Sequence, residues 1–357
     1  MQRRDFLSSL GAAATAAQAA LPERIPMGYN TYCLRGLKMT DRQHFDQAMA
    51  WKLDALFLQD SLDPATNDPA HWAEIKGWSK ELKLHIETGG SGILPKTPAQ
   101  FDSVVATLRK NIARAKACGS PIVRSLFAGF RSELPLPDIE ANMELGVKVL
   151  KTVRNEVLDA GVKIAIEVHK DFQAWEHKAI IEMAGKDFVG TYLDTGNPVF
   201  TIEDPMLTLE TLAPHVLTFH LRDSVVYNHP DGIAVQWVPL GEGTVDFKAI
   251  IARARQLLNP GVHIYIKPIT GRPPAILPIY DDAWWARYYP KARAQEFARF
   301  LALAKRGRPY EKPVVQEDVS GQPTPAAYQA ALNYQQKEHM ERSIRYARQE
   351  LKLGIRS

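Results

Sequence analysis

The chain has 357 residues, 44 Lys and Arg against 40 Asp and Glu, 45% hydrophobic and 24% charged side chains, and two cysteines. These are globular values, and the length suits either one α/β barrel of about 250 residues with an extension or two smaller domains. A net charge of +4 spread over the whole chain lacks the concentrated basic face of a nucleic-acid binder, and Cys33 and Cys118 are too few for a disulfide scaffold or a thiolate zinc site.

The N-terminus reads Met1-Gln2-Arg3-Arg4-Asp5-Phe6-Leu7, then an apolar, small-residue stretch from Leu10 to Ala17 and a small-x-small site at Ala17-Gln18-Ala19. That pattern predicts a twin-arginine export signal over residues 1 to 19 and a periplasmic or otherwise exported mature protein. Beyond it no apolar run approaches the roughly 20 residues needed to cross a bilayer, so no membrane partner is expected after signal removal.

Eight short apolar or β-branched runs follow: Pro26 to Tyr32, Ala55 to Leu58, Leu84 to Glu87, Ile122 to Leu126, Lys163 to Val168, Val189 to Leu193, Val216 to Leu221 and Val262 to Ile266. Amphipathic stretches separate most of them. In Thr97 to Ala117, Phe101, Val104, Val105, Leu108, Ile112 and Ala115 share one helical face, and Asn142 to Leu158 repeats the spacing. Strands alternating with such helices predict parallel strands with helical crossovers, which close as a (β/α)8 TIM barrel over residues 22 to 305. An open doubly wound sheet would want a Gly-rich phosphate turn after the first strand, and Gly28-Tyr29-Asn30-Thr31-Tyr32 does not supply one. Asp246, before Phe247, Ile250 and Ile251, reads as a helix N-cap.

Past Lys305 the run Arg306 to Pro313, continuing through Gly321-Gln322-Pro323, is too rich in Pro, Gly and charge for a regular element and predicts an extended arm. Thr324-Pro325 then offers a cap and a first-turn proline for a terminal helix carrying Tyr328, Ala331, Leu332, Met340, Ile344, Ala347 and Leu351. This helix is expected to dock on its own barrel, the alternative being a contact in a homo-oligomer.

In a parallel barrel the ligand site lies at the C-terminal ends of the strands, so polar residues that end an apolar run draw attention. Four ends stand out: Ile166-Glu167-Val168-His169, Leu193-Asp194-Thr195-Gly196-Asn197, Phe219-His220-Leu221-Arg222-Asp223, and Ile266-Lys267-Pro268. Two carboxylates and an imidazole converging there suit a divalent cation such as Mn2+, Co2+, Mg2+ or Zn2+. Arg124 and Glu87, at the ends of the fourth and third strands, with Arg222 and Asp223, are candidate substrate contacts.

Those segments, with Leu240 to Phe247 between the last two strands, carry a resemblance to the xylose isomerase-like barrels, which include sugar-phosphate isomerases and epimerases, D-tagatose 3-epimerase, inosose dehydratase and AP endonuclease. The resemblance covers roughly Ile25 to Ala304. It implies Glu167, Asp194 and His220 as three of four metal ligands, and a Glu ending the eighth strand as the fourth, where this chain has Lys267. A lysine there would repel a dication and pair with Glu167 and Asp194, leaving a weakened three-ligand site, a metal-free site or an inactive one. The expectation is a sugar isomerase- or epimerase-like enzyme acting on a small keto sugar or cyclic polyol derivative. It would abstract a proton next to a carbonyl and then isomerise or eliminate, with Glu167 or His169 as base and Lys267 as acid or oxyanion partner. The alternative is a non-catalytic carbohydrate-binding barrel. A multi-zinc nuclease is disfavoured, because several of His169, His177, His215, His220, His229 and His263 fall on helices or in a loop.

Overall fold

The computed structural model of the chain describes residues 22, 24–59, 62–317 and 323–356, so the expected export signal at residues 1 to 19 lies outside the described residues. Eight parallel strands close into a barrel: β1 (Met27–Asn30), β2 (Ala55–Gln59), β3 (His85–Gly92), β4 (Ile122–Leu126), β5 (Lys163–Glu167), β6 (Val189–Asp194), β7 (Val216–Leu221) and β10 (Ile264–Ile266). Each matches one of the eight apolar runs. They are buried on both faces, as a parallel sheet wrapped in helices requires. Closure comes from β1, which pairs Met27 with Ile264 on one side and Gly28 with Ala55 on the other.

The surrounding helices are α1 (Asp41–Ala50), α2 (Pro69–Leu82), α3 (Phe101–Cys118), α4 (Ile139–Thr152), α5 (Arg154–Ala160), α6 (Ala174–Ala184), α7 (Pro205–Leu212) and α8 (Phe247–Leu257). Asp246 caps α8 as expected, its carboxylate accepting the Ala249 N–H at 3.0 Å. The helix α3 stops at Gly119, whose φ of 84° sits in the left-handed region that favours glycine. The single helix expected over Asn142 to Leu158 is instead two, because Val153 leaves helical geometry at φ −108° and ψ 11°. That bend lets Val149, Val153 and Val157 all bury in one cluster with β4 and β5.

Two stretches outside the eight apolar runs are also strand. The segment from Thr88 continues β3 to Gly92, and Tyr227 to Pro239 is largely a hairpin of β8 (Asp223–His229) and β9 (Gly232–Val238), joined by β11 (Ala275–Leu277). Val226, Ile233, Val235 and Leu277 bury the inner face of this small sheet, together with Tyr289, Phe300 and Leu303. Tyr289 directly follows α9 (Asp282–Tyr288), and Phe300 and Leu303 lie on α10 (Ala294–Arg306). The turn residues Asn228, His229, Pro230, Asp231 and Gly232 read as loop and mask the buried strand on either side.

After α10 the arm leads into α11 (Ala326–Gln349). Pro325 occupies its N-cap position with no side-chain cap, so the expected Thr324 cap does not form. The helix does dock on its own barrel: Met340, Ile344 and Ala347 join the main core, followed by Leu351 and Leu353. Buried Asp54 then ties the end of the chain to β1, accepting the N–H groups of Met27 (2.9 Å), Ile355 (2.9 Å) and Arg356 (3.1 Å). Among the described residues, no helix is long and apolar enough to cross a membrane. Because Met340 is fully buried, Met340→Ala should lower the unfolding free energy by about 2–5 kcal/mol in urea denaturation, whereas a peripheral helix would give a change below about 0.5 kcal/mol.

Candidate active site

At the C-terminal ends of the barrel strands lies a cavity of about 560 Å³, within the range of small-molecule sites. Its floor holds Glu167, the last residue of β5, and Lys267, which follows β10. The Lys267 ammonium sits 2.8 Å from Glu167 Oε1 and 3.2 Å from Asp194 Oδ2. Arg124, on β4, grips Glu167 Oε2 through Nε at 2.6 Å and through a second guanidinium nitrogen. Arg222, just past β7, reaches Asp194 Oδ2 at 3.0 Å. Asn197 completes the arrangement by donating to Glu167 Oε1 at 3.2 Å and to the Val168 carbonyl at 2.9 Å. Three cations thus surround two carboxylates, all five side chains being almost fully buried.

That charge pattern sets the protonation states. Burial would raise the Glu167 carboxyl, but Arg124 and then Lys267 overcome it and hold it well below the usual carboxylate range. Burial, followed by repulsion from Arg222, pulls the Lys267 ammonium below the ordinary lysine value, against the pull of Glu167 and Asp194. His169 donates through Nδ1 to the Ala128 carbonyl at 3.0 Å, leaving Nε2 as an acceptor, and burial depresses its pKa to about 3. It is therefore a neutral imidazole lining the cavity.

His220 is not brought to this cluster. Its ring lies one layer deeper, stacked between Tyr192 (centroids 3.7 Å) and Tyr265 (4.7 Å), with Nε2 3.2 Å from Thr218 Oγ1. The metal set of Glu167, Asp194 and His220 that the resemblance implies is therefore not assembled. The oxygens of Glu167 and the Oδ2 of Asp194 face ammonium or guanidinium groups, and a dication among three fixed cations would be repelled. These residues do not fit a divalent ion.

Two expected substrate contacts lie elsewhere. Glu87 is the third residue of β3, because that strand runs five residues further than its apolar pattern indicates, and it sits low inside the barrel rather than at its mouth. Asp223 is buried under the β7 to β8 turn. It gathers the N–H groups of Gly241 (2.9 Å), Gly243 (2.8 Å) and Ser224 (2.8 Å), which is a loop clasp and not a substrate contact. Burial lifts its carboxyl to about 7.

The sequence reading missed Lys170, one residue past His169. Its ammonium lines the cavity with no carboxylate partner among the described residues and is ringed by Phe130 (3.5 Å to the ring centroid), Trp237 (4.8 Å) and Phe200 (5.7 Å). Burial and the nearby Arg222 bring its pKa down to about 7. The polar run Glu167-Val168-His169-Lys170 at a strand end was the available signal. The cage was not, since its rings come from three distant segments. Trp175, Trp284 and Trp285 do not line the cavity; the last two pack with Tyr289.

The comparisons with known proteins agree with this architecture. The family profile described as Xylose isomerase-like TIM barrel matches residues 45–275. An uncharacterized protein of Escherichia coli (strain K12), YihM, is 25% identical over 174 residues, 48% of this chain and 47% of that protein, so the match spans about half of either. Solved structures of similar fold include a D-psicose 3-epimerase determined in the presence of D-fructose (16% identity, TM-score 0.56, 78% of this chain and 97% of that one). The IOLI protein with a bound zinc atom is similar (12%, TM-score 0.57, 78% and 96%), as is the probable 3-DHS dehydratase AsbF from Bacillus anthracis (13%, TM-score 0.55, 68% and 92%). With the profile covering most of the chain and the eight strands closed in the same kind of barrel, the chain belongs to the xylose isomerase-like TIM barrel family.

Proposed function

We propose that the protein is a sugar isomerase- or epimerase-like enzyme. It removes a proton next to the carbonyl of a keto sugar or cyclic polyol derivative, using a fixed cationic cluster where the family resemblance implies a metal. The observation that carries this reading is the seat of Lys267 between Glu167 and Asp194. With Arg124 and Arg222 it gives the floor one positive charge in excess of its carboxylates. Such a preorganised surplus in a dry site stabilises the oxyanion that forms when a C–H bond adjoining a carbonyl is broken.

The base must be a group that can hold the proton. Glu167 is a poor one, each of its oxygens being engaged by cations, and a neutral His169 with a pKa of about 3 is a weak one, better suited to accepting a hydrogen bond from a substrate hydroxyl. Lys170 is suited to the task. As a neutral amine it takes the α-proton, the C–H electron pair becomes the C=C bond of an enediolate as the carbonyl π pair moves onto oxygen, and the aromatic cage receives the new ammonium through cation–π attraction. Return of the proton to the former carbonyl carbon, with the hydroxyl proton passing between the two enediolate oxygens, completes an isomerisation; departure of a β-hydroxyl as water, protonated by the same ammonium, instead gives elimination. Proton transfer by one poised base is consistent with the loss of the second carboxylate at position 267.

The base works deprotonated, so hydrogen–deuterium exchange of keto sugars in D2O should rise with pH through about 7 and level off above it. Lys170→Met should lower that exchange about 100-fold or more. Absence of exchange with every keto sugar tried would favour a carbohydrate-binding barrel over an enzyme. Lys267→Met leaves Glu167 and Asp194 without their shared cation and should cost about 3–5 kcal/mol in urea unfolding; a loss below about 1 kcal/mol would show that the ammonium does not hold the cluster together. The Arg3-Arg4 pair supports export through the twin-arginine route. Replacing both by Lys should trap the protein in the cytoplasm, as read by fractionation and immunoblot.

A further inference from the structure

At the opposite end of the barrel, His85 and Glu87 on β3 and Tyr265 on β10 lie on inward-facing positions, and His263, just before β10, follows the same two-residue alternation. The rings of His85 and His263 stack across the lower mouth at 3.7 Å, 7° from parallel. His263 Nδ1 donates to the Gly261 carbonyl at 3.2 Å, which fixes Nε2 as the nitrogen with a free lone pair. His85 Nε2 stands 3.4 Å from Glu87 Oε1. Glu87 is 1% exposed, and its carboxyl faces the His85 imidazole and the Tyr265 hydroxyl inside the barrel, with no Lys or Arg paired to it among the described residues, which is a costly place for a carboxylate without a cation. One ligand atom from each of His85, Glu87 and His263 falls within 4.8 Å of the others.

We propose that these three residues form a binding site for a borderline divalent cation of the zinc type, separate from the catalytic cavity. Two imidazole nitrogens and a carboxylate are three of the four ligands of a tetrahedral zinc site, with water at the fourth. The Nδ1–H bond of His263 to a backbone carbonyl is the outer contact that orients a metal-bound imidazole. His85, with its side chain 29% exposed, provides an approach from solvent, its Nε2 already stands beside the carboxylate, and the stacked rings would have to turn for both histidines to meet one ion. Bound there, the ion neutralises Glu87 and links β3 to β10 across the base of the barrel. The other acid and histidine group, Asp41, Asp63 and His71, lacks these openings. Both oxygens of Asp63 accept backbone N–H groups, and both nitrogens of His71 are engaged by Asp41 and Glu74.

The test uses the full chain stripped with chelator and titrated with ZnCl2 by calorimetry, alongside His263→Ala and His85→Ala. Both replaced side chains are partly exposed, and circular dichroism verifies that the variants fold. Wild type should bind one zinc ion and gain thermal stability from it. Each variant should bind about tenfold or more weakly and lose most of that gain, and zinc-edge absorption of the wild-type complex should report two histidine nitrogens. Wild-type protein that binds no zinc, or folded variants that bind it as tightly as wild type, would overturn the proposal. Neither result depends on whether the protein acts on a sugar.

Discussion

The ammonium of Lys267 is the charge on which the upper half of the barrel depends. Two carboxylates, Glu167 and Asp194, end neighbouring strands, and without a cation between them they would repel across a buried space. The lysine reaches both from the end of β10, the strand that closes the barrel onto β1. Arg124 then engages the other oxygen of Glu167, and Arg222 shares Asp194 Oδ2 with the lysine. Strand geometry and electrostatics are thus coupled, because the ion pairs join β4, β5, β6, the end of β7 and the end of β10 in one network.

The network also divides chemical labour within the cavity. Groups tied into it are held in fixed protonation states: Glu167 stays a carboxylate and the two arginines stay cations. Lys170 stands outside the ion pairs, beside aromatic faces that hold a cation without neutralising it. A group with a movable proton next to groups with immovable charge suits the acid–base chemistry proposed for the cavity. His169, fixed by the Ala128 carbonyl as a neutral acceptor, adds an uncharged contact at the same wall.

Much of this was legible in the sequence. The eight strands carry their own signal as apolar runs, and Glu167, Asp194, Arg124, Arg222 and Lys267 converge as strand-end logic says they should. What failed did so for identifiable reasons. His220 has the right strand but the wrong layer, because the tilt of a barrel sets the height of a side chain and no one-dimensional pattern records tilt. Glu87 was misplaced because Thr88 to Gly92, with their small polar residues, do not look like strand. Asp223 was read as a ligand contact when its partners are backbone N–H groups of a loop 18 to 22 residues away. The Lys170 cage needs Phe130, Phe200 and Trp237 together, a conjunction that only the folded chain produces.

The C-terminal arm gives the cavity a dependence on the order of synthesis. Glu317 on that arm pairs with Arg272 at 2.9 Å and with Arg35, and its N–H meets the Gly271 carbonyl, so the rim residue Arg272 is held by chain that follows the barrel. The last residues then return to the first strand, where Asp54 binds the Ile355 and Arg356 backbone beside Met27. A ribosome-bound chain that has already emerged through β10 can pair its strands but cannot yet seat its rim or cover the face that α11 packs against. The cavity is complete only once the arm and α11 are in place, so a nascent barrel that lacks them holds an unfinished rim.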